Sequence, residues 1–174
     1  MRLDTHYGKA EVSTYRTQLG PLEGTPVIPE SEFRGRPNHF MAAELDVQVM
    51  GEAFTEAYTT GDNTNVVATD TMKNFIHRET LAFEGTTLEG WLFFIGSRFL
   101  ETYSQIERLR MSGEEIRFDA AMVPAAAGGF EASPVVYHRR HDDRGIASIE
   151  LARADDGSIV LGAVRAGRIG LDLL

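Results

Sequence analysis

The sequence predicts an α+β domain built on an antiparallel sheet. Three observations predict it. Residues 41–50 alternate between apolar and polar with period two. Residues 69–80 and 87–104 change to helical spacing. Strand patterns return after the helices and close on a hairpin signal, Asp155-Asp156-Gly157-Ser158. The expected order is β-β-α-α-β-β followed by one more hairpin, within a single domain of 174 residues.

Taken in order, residues 10–18 read as a first strand. Residues 19–38 read as a long loop, because Gly20, Pro21, Gly24, Pro26, Pro29, Gly35 and Pro37 break any regular element. In 41–50, Met41, Ala43, Leu45, Val47 and Val49 share one face, and Glu44, Asp46 and Gln48 share the other. That pattern fits a sheet buried on one side and wet on the other. Met72, Phe75, Ile76 and Glu79 mark the inner face of the first helix. Leu88, Trp91, Leu92, Ile95, Phe99 and Tyr103 mark that of the second, with Thr86 and Glu89 spaced as a capping box. Ile116, Phe118, Ala120 and Met122 alternate as a strand, and Val135-Val136-Tyr137 opens another. Residues 146–153 and 158–164 flank the final turn. The terminal Leu171, Leu173 and Leu174 are apolar enough to need cover from another element or another chain.

Composition excludes several classes. The chain is 43% hydrophobic, enough for a sizeable core. No apolar run approaches the roughly 18 residues of a membrane span. Residues 1–6 carry no apolar signal core, which speaks against a secretory signal; nothing in the sequence points outside the cytosol, and a cytoplasmic setting is the expectation. The net charge of −9 disfavours nucleic-acid and membrane-surface partners, which rely on basic patches. The absence of cysteine excludes disulfides and thiolate chemistry, and no metal site is expected. Of the 17 basic residues only Lys9 and Lys73 are lysines. Arginine stays charged, whereas a partly buried lysine can lose its proton and act as a base, so both lysines draw attention.

The segment from Tyr58 to Asn74 leads from a polar turn through a short apolar run into a helix start bearing Thr69-Asp70-Thr71. Backbone N–H groups there suit an anion or an electronegative ring atom. The alternative is that the three side chains cap the helix. His138, Arg139, Arg140 and His141 invite a metal or anion reading. Strand geometry points the two histidines to opposite faces, which favours a solvated strand end. His77 reads as a boundary residue, and Asp142-Asp143 and Asp155-Asp156 as turns.

Tyr7-Gly8-Lys9-Ala10-Glu11-Val12, then Tyr58-Thr59-Thr60-Gly61-Asp62-Asn63, then Val66-Val67-Ala68-Thr69-Asp70-Thr71-Met72-Lys73-Asn74, resemble the N-terminal half of urate oxidase (uricase). The likeness covers nearly the whole chain. It implies the tunnelling fold, or T-fold: a four-stranded antiparallel sheet with two helices on one face, here with an extra C-terminal hairpin. Such units pair side by side into barrels, with urate at the interface between subunits. The implied reaction oxidises urate with O2 and water to 5-hydroxyisourate and hydrogen peroxide, without metal or organic cofactor. By motif, Lys9 and Thr69 correspond to the proton-handling dyad. Thr69 and Asp70 correspond to substrate-binding residues, Asp70 through its backbone N–H. Lys73 reads as structural or electrostatic.

The sequence departs from that family pattern. The second T-fold half normally supplies a stacking Phe, a clamping Arg and Gln, and a His; none can be assigned here. The 19–38 insertion and the stretch Val135–Arg139 are also unlike the family. The leading expectation is one subunit of a split urate oxidase, completed by a second T-fold chain or by further copies of itself. The alternatives are a stand-alone T-fold enzyme acting on a purine- or pterin-like heterocycle, and a non-catalytic T-fold scaffold.

Overall fold

The computed structural model describes residues 5–27, 29, 34–35, 39–141 and 143–171. The elements run β1 (His6–Leu19), β2 (His39–Met50), α1 (Thr55–Thr59), α2 (Thr69–Ala82), α3 (Leu88–Thr102), β3 (Arg108–Glu115), β4 (Phe118–Pro124), β5 (Phe130–Arg139), β6 (Arg144–Arg153) and β7 (Ile159–Ile169). Five strands form one sheet in the order β1-β2-β3-β6-β7, and β4 and β5 form a separate two-stranded sheet. Every neighbouring pair is antiparallel. The α+β class and the helix-covered antiparallel sheet are as expected.

The alternation in β2 sets the layering. Leu45, Val47 and Val49 are wholly buried, and Leu109, Met111, Ile149 and Leu151 continue that apolar face across β3 and β6. Met72, Phe75 and Ile76 of α2 and Trp91, Leu92, Ile95 and Phe99 of α3 close over it. The buried Glu79 is held by two guanidiniums, Arg78 Nε at 2.9 Å and Arg98 Nε at 2.7 Å. Among the described residues the opposite face carries no helix, and it is polar. There Arg110 and Glu150 are direct cross-strand partners, with Nε 2.9 Å from Oε1. Exposed pairs of this kind contribute up to about 1 kcal/mol.

Four details differ from the sequence expectation. The final hairpin is not an appendage: β6 is the fourth strand of the main sheet and β7 widens it to five. The strand expected at 116–122 is β4, which leaves the main sheet to pair with β5. The third sheet strand is β3 instead. Its inward positions are Leu109, Met111 and Gly113, and a Cβ on Gly113 would lie 2.8 Å from Leu45 Cδ2. The position must be small, and its smallness removes the third apolar mark from the pattern. Finally, the cap of α3 is Thr87 rather than Thr86; the Thr87 side chain accepts the Gly90 N–H at 3.1 Å. Thr87→Ala is therefore expected to cost about 1 kcal/mol in denaturant unfolding while Thr86→Ala costs almost nothing. Equal losses would refute the assignment.

The β4–β5 hairpin is anchored at the start of β2. Phe40 packs edge-on against Phe118 at 5.0 Å and stacks on Tyr137 at 4.9 Å. Arg117 donates to the Asp143 carboxylate at 2.7 Å and Arg140 to that of Asp119 at 3.1 Å. His138, Arg139, Arg140 and His141 are all exposed at the end of β5, as a solvated strand end should be. Asp142, Leu173 and Leu174 lie outside the described residues, as do parts of the 19–38 loop. Leu171 is exposed.

Candidate active site

The first motif forms the start of β1, at an edge of the sheet. Tyr7 and Lys9 pair with Val49 and Val47. Cross-strand partners share a face, so both point to the helix-bearing side, where each is half-buried. Between them, Gly8 lies so close to β2 that an added Cβ would stand 1.8 Å from the Val47 carbonyl oxygen. Only glycine allows that approach.

The second motif is stitched to the first. The Tyr7 hydroxyl accepts the Val67 N–H at 2.8 Å, and its ring meets Phe54 edge-on at 5.0 Å. Burial pushes the Tyr7 phenol above its ordinary pKa, against the opposing Val67 bond, so it keeps its proton at neutral pH. Tyr58 donates to the His6 carbonyl at 3.5 Å, and the Asn65 amide donates to the Ala53 carbonyl at 3.0 Å. Asp62 accepts from the Thr64 hydroxyl at 2.6 Å and from its N–H at 2.9 Å. The Thr64 hydroxyl and then its N–H hold the Asp62 carboxyl below its usual range.

Helix α2 begins at Thr69. Its N-cap is Ala68, with no side-chain capping bond. Thr69, Asp70 and Thr71 form the first turn itself and are exposed. The capping alternative therefore fails for all three, and first-turn N–H groups point outward with the helix dipole behind them. The Asp70 carboxylate lies 3.5 Å from Lys73 Nζ, one turn further along the helix.

Three ties fix how α2 lies on β1. Tyr7 meets Val67, the Thr14 hydroxyl donates to Thr80 Oγ1 at 3.4 Å, and Arg16 Nε donates to the Phe83 carbonyl at 3.4 Å. The contacts ascend together along both elements, so α2 runs parallel to β1 and its N-terminus lies at the Lys9 end. Lys9 is two residues from Tyr7, and Thr69 is two residues from Val67. No hydrogen bond joins Lys9 to Thr69, and Lys9 has no ion pair among the described residues.

Arg139 and Arg140 are not brought to this end. They lie beside Phe118 and Phe40, at the start of β2, whereas Lys9 pairs with Val47. Seven residues of strand separate those positions by roughly 20 Å. A hollow of about 490 Å3 on the open face, lined by Glu11, Glu44, Asp46, Glu114 and Arg165 among others, includes neither Lys9 nor Thr69. Among the described residues no group of three or more His, Asp or Glu is placed to hold a metal ion, and no helix is long and apolar enough to cross a membrane. Phe54 escapes the sequence reading as a support of Tyr7, since only its long-range ring contact marks it.

The uricase family matches residues 5–143. A uricase of Haloferax volcanii is 48% identical over 170 residues, covering 97% of this chain and 55% of the relative. The uric acid degradation bifunctional protein of Bacillus subtilis is 42% identical over 154 residues, covering 88% of this chain and 31% of that protein. The crystal structure of urate oxidase from Bacillus sp. TB-90 superimposes with a TM-score of 0.91 at 36% identity, covering 96% of this chain and 55% of that one. The chain thus spans about half the length of the Haloferax uricase and of the TB-90 urate oxidase chain, and about a third of the bifunctional protein. With a T-fold sheet, two layered helices and the motif pair joined at one sheet edge, the chain belongs to the uricase family.

Proposed function

We propose that this chain supplies the N-terminal half of a urate-oxidising site, acting without metal or organic cofactor. The observation that carries the reading is the Tyr7–Val67 bond, which sets Lys9 and Thr69 at the same end and on the same side of an edge strand. In this reading Lys9 is the base and the Thr69 hydroxyl relays the proton, as general-base catalysis requires. The Asp70 N–H, at the positive end of α2, holds an electronegative atom of the anionic ring. Urate gives up two electrons to O2, and water adds to the oxidised ring. The products are 5-hydroxyisourate and hydrogen peroxide, which balances every atom of urate, O2 and water.

The half-site is open at the β1 edge and needs a second T-fold unit. That unit would supply a ring to stack on and the groups that clamp urate. Among the described residues both outer strands, β1 and β7, have one partner strand each and can pair again, and Val160, Leu161 and Val164 on β7 are about half-exposed. A cytoplasmic hetero-oligomer, or an assembly of further copies, belongs to the same proposal, with the missing stacking and clamping groups contributed across its interface.

The test is a urate absorbance assay on the 174-residue chain alone and co-expressed with a second T-fold half of the family. The chain alone should be slow or inactive, because misplacement of reacting groups by about 1 Å already costs on the order of 10²-fold. The co-expressed pair should be active, and light scattering should show an assembly larger than one chain. Full activity from the chain alone would favour a self-sufficient homo-oligomer. No activity in either form would sink the urate reading.

A further inference from the structure

Regular alternation would place Lys9 and Val12, three residues apart, on opposite faces of β1. Here both lie on the helix-bearing face. Lys9 pairs with Val47 and Val12 with Leu45, and both partners are wholly buried on that side. The change of face is made by a β-bulge, in which Ala10 and Glu11 together oppose the single residue Asp46. Glu11 has φ 56°, the only non-glycine with a positive φ among the described residues. Such a conformation persists only where the surroundings enforce it. The enforcing contact is visible: the Glu11 N–H, which the interrupted ladder would leave unpaired, donates to Asp46 Oδ1 at 2.7 Å.

We infer that Asp46 is a positioning residue for Lys9. By accepting the Glu11 N–H, its carboxylate pins the bulge that holds Lys9 on the side of the sheet where α2 begins. Without the extra residue, keeping Val12 and Thr14 in the core would turn Tyr7 and Lys9 to the open face, because a one-residue shift reverses every side chain. Gly8 completes the arrangement, since the close approach to Val47 fixes the strand immediately before Lys9. The role of Lys9 as a base rests on the proposed function; its placement by Asp46 does not.

The chain contains two lysines, so protein labelled with [6-13C]lysine gives one side-chain signal for Lys9 and one for Lys73. Asp46→Ala should move the Lys9 signal and leave that of Lys73 in place. Asp46→Asn keeps an acceptor oxygen and should restore the wild-type Lys9 signal. In the assembled enzyme Asp46→Ala should lower kcat about tenfold with little change in KM, and Asp46→Asn should return it close to wild type. Hydrogen exchange at the Glu11 amide of the unmodified chain gives an independent reading, even if Asp46→Ala fails to fold. Protection supports the bond, and free exchange overturns it. An unmoved Lys9 signal in Asp46→Ala also overturns the inference. A moved signal without urate turnover in any form would instead leave the placement standing and remove the urate reading.

Discussion

Lys9→Arg is expected to lower the turnover of the assembly proposed above by about 10²-fold. The two side chains share charge and approximate length, so encounter with an anionic ring is little changed. What is lost is the capacity to release a proton, because arginine stays charged in proteins. Lys9 is half-buried and forms no ion pair among the described residues. Lys73 is the internal control. It already pairs with the exposed Asp70, so Lys73→Arg should leave turnover near wild type. Steady-state urate consumption by the two variants, at matched assembly, decides the matter. A wild-type rate in Lys9→Arg would reduce Lys9 to an electrostatic role.

Trp91→Ala destabilises the fold by about 3–5 kcal/mol. Total stability of a domain is only about 5–15 kcal/mol, so the variant is expected to be marginal at room temperature. Trp91 is wholly buried and stacks on Phe83 with ring centroids 6.1 Å apart. Its indole N–H donates to Thr80 Oγ1 at 3.2 Å, and Thr80 is also the acceptor for Thr14. The substitution therefore opens a cavity and weakens the polar link joining α3, α2 and β1. Trp91→Phe separates the two contributions, since it retains most of the volume and loses the hydrogen bond. Denaturant unfolding gives both values. A loss under about 1 kcal/mol for Trp91→Ala would mean that the core closes over the gap.

The elements legible in the sequence are those whose burial is periodic. β2 and both long helices keep enough apolar residues at inward positions for the period to survive, although Glu79, Thr80 and Gly96 are buried with them. β3 is hidden because Gly113 occupies an inward place and arginines flank the other two. β4 and β5 carry strand chemistry but bury little, and their composition does not reveal that they leave the main sheet. Around the site, Lys9 stands out by the scarcity of lysine, and Thr69 and Asp70 by their place in a motif. The Tyr7–Val67 and Glu11–Asp46 bonds join residues 60 and 35 positions apart. No local pattern encodes them. The Thr69-Asp70-Thr71 triplet misleads for a related reason: any of the three can cap a helix, and only the chain path shows that the helix starts one residue too early for that.

The parallel seating of α2 on β1 has a consequence for insertions and deletions. Tyr7 to Thr14 on the strand, and Val67 just ahead of α2 to Thr80 within it, both cover roughly 20 Å by the usual rises. The two elements are thus cut to a common length, like the rails of a ladder with three rungs. Removing one residue between Tyr7 and Thr14 would misalign the rungs and displace Lys9 relative to Thr69. The connection ahead of α2 is tied as well: Tyr58 donates to the His6 carbonyl, the Asn65 amide donates to the Ala53 carbonyl, and Gly61 takes a φ of 79° that other residues rarely adopt. A single-residue deletion is therefore expected to be tolerated neither in the first half of β1 nor in the turn at Gly61.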